Sequence, residues 1–335
     1  MKKFSDVVVK VNTVEYLNNV NKKTLFIYSP TSVEKINLFD ELNNDNIIAI
    51  STHETKKDVK IIESILNNYT EIESIIGFGG GTAIDVAKYI ANKLNLEIIA
   101  IPSMISTNVY STDKVLMITD GIKSTLDSKL PDIIVYDENI LKLSLTENLF
   151  GFADVLTIYT ASKDWLLACE HNNEQLDDEI YSMDIELLND TIKHIQQHSY
   201  EEIGNNLYEM FNFIGTAGHI TNLYGSGRPV SGSEHIFAKD LEQEILVPHG
   251  ISVATGILIM SLYQSNYSIE VEECFRKIKI FDYADKYNVT KEIIKKVFNN
   301  LKPRVDRYSM VNLLDKNDVK KQEQVDLVLT KMGIK

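Results

Sequence analysis

Cysteine is scarce. Cys169 and Cys274 are the only two in 335 residues, and they form no CxxC pair. A disulfide-stapled scaffold is therefore not expected, and a reduced, cytoplasmic setting is the default expectation. Basic residues are in deficit, with 34 Lys and Arg against 48 Asp and Glu and a net charge of −14. Nucleic acid is not an expected partner, because a binding surface for it needs a basic excess. Long apolar runs are missing too. The longest worth testing, "GISVATGILIMSLY" at 250–263, falls short of the ~20 residues of a membrane-spanning helix and reads as a buried core helix. The amino-terminal "MKKFSDVVVK" has two lysines but no apolar stretch, so it does not read as a signal peptide. There are no internal repeats, low-complexity tracts or coiled-coil heptads.

An apolar fraction of 44% is ordinary for a globular protein, and at ~150 residues per domain the length suggests about two domains. The first part of the chain alternates. Apolar runs "KTLFIYS", "NIIAIS", "ESIIGFGGG" and "LEIIAIP" predict strands, and the segments between them have helical spacing. This is the rhythm of a mostly parallel sheet flanked by helices. Two more strands are predicted at "KVLMIT" and "DIIVYD", with the turn pair Asp120-Gly121 between them suggesting a hairpin. Beyond about residue 145 strand signals nearly vanish and the periodicity is helical. The expected organisation is a Rossmann-like α/β dinucleotide-binding domain over 1–145 and an all-α metal- and substrate-binding domain over 146–335.

Two stretches of the first domain are suited to an anionic cofactor. "GFGGGTAIDVAK" joins the third predicted strand to a helix, and Gly79, Gly80 and Gly81 permit a tight turn and close backbone approach. Helix-start N–H groups there suit a pyrophosphate. The spacing is not G-x-G-x-x-G. Asp85 and Lys88 lie on the first turns of the helix, where they are either surface residues or reach a bound nucleotide. The loop after Pro102 offers Ser103, Ser106, Thr107, Asn108, Ser111 and Thr112 at a strand's carboxyl end, where open α/β sheets bind ligands. The strand "KTLFIYS" ends in no acidic or basic residue, so NAD and NADP stay equally open.

In the helical half, "SGSEHIFAKDLEQEILVPHG" carries His235 and His249, each near a predicted helix start. Two histidines and a carboxylate leave an open position on a catalytic divalent ion. Asp154, alone in an apolar run, is a candidate third ligand, since a buried unpaired carboxylate is costly; its alternative role is helix capping. His194 and His198 are also four apart, on a segment that reads as a solvated helix.

Taken in order, "GFGGGTAIDVAK", "IPSMISTNVYST", "GFADVLTIYTASKDW", "GRPVSGSEH" and "VPHG" resemble the superfamily of iron-containing alcohol dehydrogenases, glycerol dehydrogenases and dehydroquinate synthases. "KDW" and "SGRPVSGSEH" look most like the sn-glycerol-1-phosphate dehydrogenases. The resemblance implies NAD or NADP across Gly79, Gly80 and Gly81, with the nicotinamide near Ser106, Thr107 and Ser111. It implies one divalent ion, Zn²⁺ first and Fe²⁺ second, on Asp154, His235 and His249, and a homo-oligomer. It implies reversible hydride transfer between the nicotinamide and a small ketone or secondary alcohol, with dihydroxyacetone phosphate and sn-glycerol-1-phosphate as the first pair. Arg228 and Lys239 are candidate anion holders for a phosphorylated substrate. Two positions depart from the relatives: Asn108 stands where they have an acidic residue, and Lys239 where the phosphate-handling ones have a second histidine. A polyol dehydrogenase, a sugar-phosphate cyclase and a non-catalytic binding protein are the competing readings.

Overall fold

Six short strands rich in Val, Ile and Phe pair in parallel in the order β1-β8-β5-β4-β2-β3. They are β1 (Val8–Lys10), β2 (Thr24–Tyr28), β3 (Ile47–Ser51), β4 (Ser74–Gly79), β5 (Glu97–Pro102) and β8 (Ile133–Tyr136). The computed structural model describes residues 4–335; the first three residues of "MKKFSDVVVK" lie outside that range. The chain divides into two units, one ending at Asn148 and the other running from Leu149 to Lys335.

In the first unit the central strands are covered on both faces, as buried parallel strands are. Leu25, Ile27 and Ile75 pack with Val86, Ala87 and Ile90 on one face. Phe26, Ile76 and Phe78 pack with Leu17, Val33 and Leu38 on the other. The alternation of neighbours in sequence between two cores follows from the two-residue repeat of a strand. In the middle of the sheet β4 lies between β2 and β5, with Ile27 opposite Gly77 and Gly79 opposite Pro102. Its carboxyl end, and hence the glycine turn, therefore sits between two neighbouring strand ends.

The hairpin is drawn differently from the sequence expectation. Asp120 and Gly121 both have positive φ, 53° and 79°, as a two-residue turn with the twist of a hairpin requires. However, the strand that "KVLMIT" (β6, Lys114–Thr119) pairs with is β7 (Ile122–Asp127), antiparallel to it. "DIIVYD" instead supplies β8 to the main sheet, between β1 and β5. "IKSTLD" escapes a hydrophobicity reading because it alternates with polar residues and lies mostly at the surface.

The second unit is helical. The apolar 250–263 run forms the His249–Tyr263 helix, buried at every position after His249, with the Ser233–Glu244 helix against it. Other helices around them include Phe152–Leu156, Ile158–Asn172, Asp178–Gln197 and Leu207–Tyr224. Among the described residues no helix is long and apolar enough to cross a membrane.

Candidate metal centre and glycine turn

Three side chains converge in the second unit. One Asp154 oxygen, Oδ1, lies 3.5 Å from His235 Nε2 and 3.3 Å from His249 Nε2. Among the described residues this is the one group of three or more His, Cys, Asp or Glu side chains whose ligand atoms cluster closely enough for a metal, all within 4.8 Å. Local structure explains the convergence. Asp154 sits in the short Phe152–Leu156 helix, His235 at the third residue of its helix, and His249 at the first residue of its own. Neither histidine helix is capped by its preceding side chain. Instead Asp164, of the "KDW" motif, accepts a hydrogen bond from Ser233 N at 2.5 Å and so fixes the start of the His235 helix. Its other oxygen accepts from Met310 N and Gln264 Nε2. Burial, together with the charge of Glu234, pushes its pKa up to about 6.

Glycines set the approach of these helices. A methyl on Gly232 would lie 2.3 Å from Asp164 Oδ2, and one on Gly250 2.3 Å from the Phe150 carbonyl oxygen. A methyl on Gly256 would lie 2.6 Å from the Glu234 carbonyl oxygen, so the two histidine helices touch main chain to main chain.

Both rings are held from behind. His235 Nδ1 pairs with Glu234 Oε1 at 2.9 Å, and His249 Nδ1 with Glu242 Oε1 at 2.7 Å. Glu234 is wholly buried and also accepts from Gly232 N and Thr160 Oγ1. Glu242 accepts from Ser252 Oγ. A carboxylate on Nδ1 fixes the tautomer and turns Nε2 toward the ligand. Burial by itself would lower the His249 pKa, but hydrogen bonds with Asp154 and Glu242 outweigh it and hold the pKa up to about 10. Burial would raise that of Asp154, yet its bonds with the two histidines keep it far below the ordinary carboxylate range. Glu234, Glu242 and Asp164 were not singled out in the sequence. The glutamate beside His235 in "SEH" was a usable signal, whereas Glu242 reads as one more solvated helix residue.

The donor set fits a small divalent ion. Ligand atoms held tetrahedrally at ~2.0–2.2 Å lie roughly 3.3–3.6 Å apart, which matches the two Asp154–histidine separations. His194 and His198 stand elsewhere, near the end of the Asp178–Gln197 helix. Their rings lie 4.5 Å apart, with His198 Nδ1 on the His194 carbonyl.

In the first unit the glycine turn is built from main chain. Gly79 has φ +144°, and a Cβ there would meet Ser29 Cβ at 2.7 Å. Gly80 precedes the Gly81–Leu94 helix without capping it. The hydroxyl loop comes close, since a Cβ on Gly81 would lie 3.7 Å from Val109 Cγ1 and 4.0 Å from Thr107 Oγ1. Ser103 is pinned by its N–H to the Gly79 carbonyl and by its hydroxyl to Ser32. Ser111 donates to the Asn108 carbonyl. Asn108 begins the 3-10 turn Asn108–Ser111, and Ser106, Thr107 and Asn108 are half-buried. A side-chain-free turn facing hydroxyls, with helix-start N–H groups, fits a pyrophosphate.

Asp85 and Lys88 have local partners instead. Asp85 is buried against Lys57, 2.5 Å away. Lys88, fully buried, donates to the carbonyls of Val109 and Lys114, which anchors the hydroxyl loop; burial pushes its pKa down to about 8. In the second unit Arg228 is likewise engaged. Its Nε and Nη2 clasp Glu174, and Nη1 and Nη2 reach the carbonyls of Tyr308 and Asp164. Lys239 is exposed, one turn beyond His235.

Comparison with known proteins agrees with this arrangement. Residues 12–144 match the family described as iron-containing alcohol dehydrogenase. The glycerol-1-phosphate dehydrogenase [NAD(P)+] of Methanococcus aeolicus is 31% identical over 282 residues, covering 78% of this chain and 79% of the relative. That of Sulfurisphaera tokodaii is 27% identical over 321 residues, 90% of this chain and 88% of the relative. Among solved structures, a probable glycerol dehydrogenase from Sinorhizobium meliloti shares the fold. Its TM-score is 0.65 at 14% identity, over 97% of this chain and 96% of that one. The fold, the converging Asp154, His235 and His249, and these matches together place the chain in the iron-containing alcohol dehydrogenase family.

Proposed function

We propose that the chain is a metal-dependent, NAD(P)-linked dehydrogenase that interconverts a small ketone and its secondary alcohol. We take dihydroxyacetone phosphate and sn-glycerol-1-phosphate as the first pair. The observation that carries the reading is the triad with each histidine's Nδ1 already held by a carboxylate, since that leaves both Nε2 atoms and Asp154 Oδ1 to share one ion. When bound, the divalent ion supplies Lewis-acid polarisation of the substrate oxygen and the nicotinamide gives or takes the hydride. The chain's own part is positional. Asp154, His235 and His249 hold Zn²⁺ or Fe²⁺, and Glu234 and Glu242 keep the rings oriented. Gly79, Gly80 and Gly81 admit the pyrophosphate against the main chain. Ser103, Ser106, Thr107 and Ser111 line the nicotinamide's place, and Asn108 in the same loop offers an uncharged donor and acceptor.

Elemental analysis of the purified protein and a coupled screen test this together. We expect close to one zinc or iron per chain, and oxidation of NADH or NADPH when dihydroxyacetone phosphate is added. Turnover of dihydroxyacetone but not of its phosphate would move the substrate to an unphosphorylated polyol. A metal-loaded protein with no net nucleotide oxidation on any ketone would overturn the reading.

A further inference from the structure

Two cations near the triad form no salt bridge among the described residues, although Asp306 acts on both from a distance. Lys239 follows His235 by four positions on one helix, which puts the two on the same face about 6 Å apart along the axis. It makes no salt bridge, whereas other charged groups around it are committed. Arg304 clasps Asp306 through Nε and Nη2 at 2.9 and 2.6 Å. Glu242 holds His249 and Ser252. The second cation, Arg307, comes from the 301–309 segment. Its Nη1 donates to the Ser231 carbonyl at 2.6 Å, which fixes it beside the loop that leads into the His235 helix. Its Nη2 lies 3.8 Å from where a Cβ of Gly227 would stand. Arg307 is half-buried. The two cations also sense one another: the Lys239 side chain is accessible to solvent, yet the packing around it and then the charges of Arg304 and Arg307 lower its pKa.

Like charges held near one another disfavour each other's charged form, and an anion placed between them favours both. A guanidinium presents a planar fork and an ammonium a point charge, and together they suit the three free oxygens of a phosphate ester. Arg228, the arginine within the loop before the His235 helix, is already closed by Glu174. We propose that Lys239 and Arg307 form the phosphate-binding half of the substrate site, holding the ester phosphate of a ketone whose carbonyl oxygen lies at Asp154, His235 and His249. This rests on the dehydrogenase reading above and deepens it. It also accounts for the lysine that replaces the relatives' second histidine, because the position keeps a group that can meet an anion.

The test uses the metal-loaded full chain and the variants Lys239→Met, Arg307→Gln and Arg307→Lys. Reduction rates are compared for dihydroxyacetone phosphate and dihydroxyacetone, and binding of inorganic phosphate is followed by phosphorus NMR titration. We expect the ratio of kcat/KM for the phosphorylated over the unphosphorylated ketone to fall ~10–100-fold in the Met and Gln variants. Most of the loss should appear in KM, phosphate affinity should fall in parallel, and Arg307→Lys should recover part of both. An unchanged ratio together with unchanged phosphate binding in both Lys239→Met and Arg307→Gln would overturn the subsite. If the wild type reduces no ketone but binds phosphate in a way that both variants lose, the dehydrogenase reading fails and the subsite stands.

Discussion

The glycine turn of the first unit and the triad of the second are made of different material. At Gly79–Gly81 the surface on offer is main chain, and what matters is the absence of side chains, enforced at Gly79 by a φ of +144° and a neighbour 2.7 Å from any added Cβ. At Asp154, His235 and His249 the surface is side chains drawn from three helices, each oriented by a further carboxylate or a close helix contact. A main-chain site is broken by adding atoms, a side-chain site by removing them. The two should therefore fail in opposite ways.

Removing the shared ligand is the harshest break. Asp154→Ala should lower metal content to a trace and kcat by ~10³-fold or more, since the ion's contribution to the barrier is several kcal/mol. Elemental analysis and steady-state rates check both, and a metal-replete, active variant would dissolve the triad. Adding atoms on the other side comes next. Gly79→Val should raise KM for NADH or NADPH by ~10–100-fold, from strain at positive φ and the clash with Ser29, with metal content unchanged. Equal loss of metal would mean that the two units are not separately breakable. A smaller effect is expected behind the ligands. Glu242→Gln should weaken metal retention ~10–100-fold in a chelator competition, because an amide no longer holds the His249 N–H as a carboxylate does. Activity restored by excess metal would confirm a positioning role.

The mildest change contrasts two buried carboxyls of the same unit. Asp154 has two histidines; Asp184 is fully buried with neither oxygen hydrogen-bonded, and burial pushes its pKa up to about 8. Its folded pKa therefore lies above the unfolded value of ~3.9. Its contribution to stability is present below about pH 4 and is lost as pH rises toward 8. Asp184→Asn, which cannot ionise, should match the wild type near pH 4 and exceed it at pH 8 by about 1–3 kcal/mol, read from urea unfolding at the two pH values. A pH-independent difference would assign the effect to packing.

The same contrast explains what could be read in advance. The sheet was legible because buried parallel strands are continuous apolar runs, and the glycine turn because three successive glycines at a strand end are conspicuous. The edge strand β1 is only three residues long and does not stand out even within its run of valines, and the polar strand β7 carries too little apolar signal to be seen. His235 and His249 had no diagnostic spacing; they were joined to Asp154 by resemblance, and the geometry sets the three together. Glu242, Asp164, Arg307 and Asp184 are invisible for one reason: what each does depends on its folded surroundings, and a lone charged residue in a sequence looks the same whether it faces water, a partner or a buried pocket. Asp85 and Arg228, charged residues beside the motifs, have local partners that the sequence does not reveal, Lys57 and Glu174.

Gly256 has a wider consequence. Because no side chain separates the helices of His235 and His249 at that crossing, the span between the two ligands is set by backbone contact and has little room to adjust. Lys239, in contrast, stands at the exposed rim, and Arg307 is delivered by an irregular segment. On the proposed subsite, substitution in those outer parts retunes which molecule is accepted without disturbing the rigid crossing, so divergence in substrate among such chains should concentrate there while the crossing stays glycine.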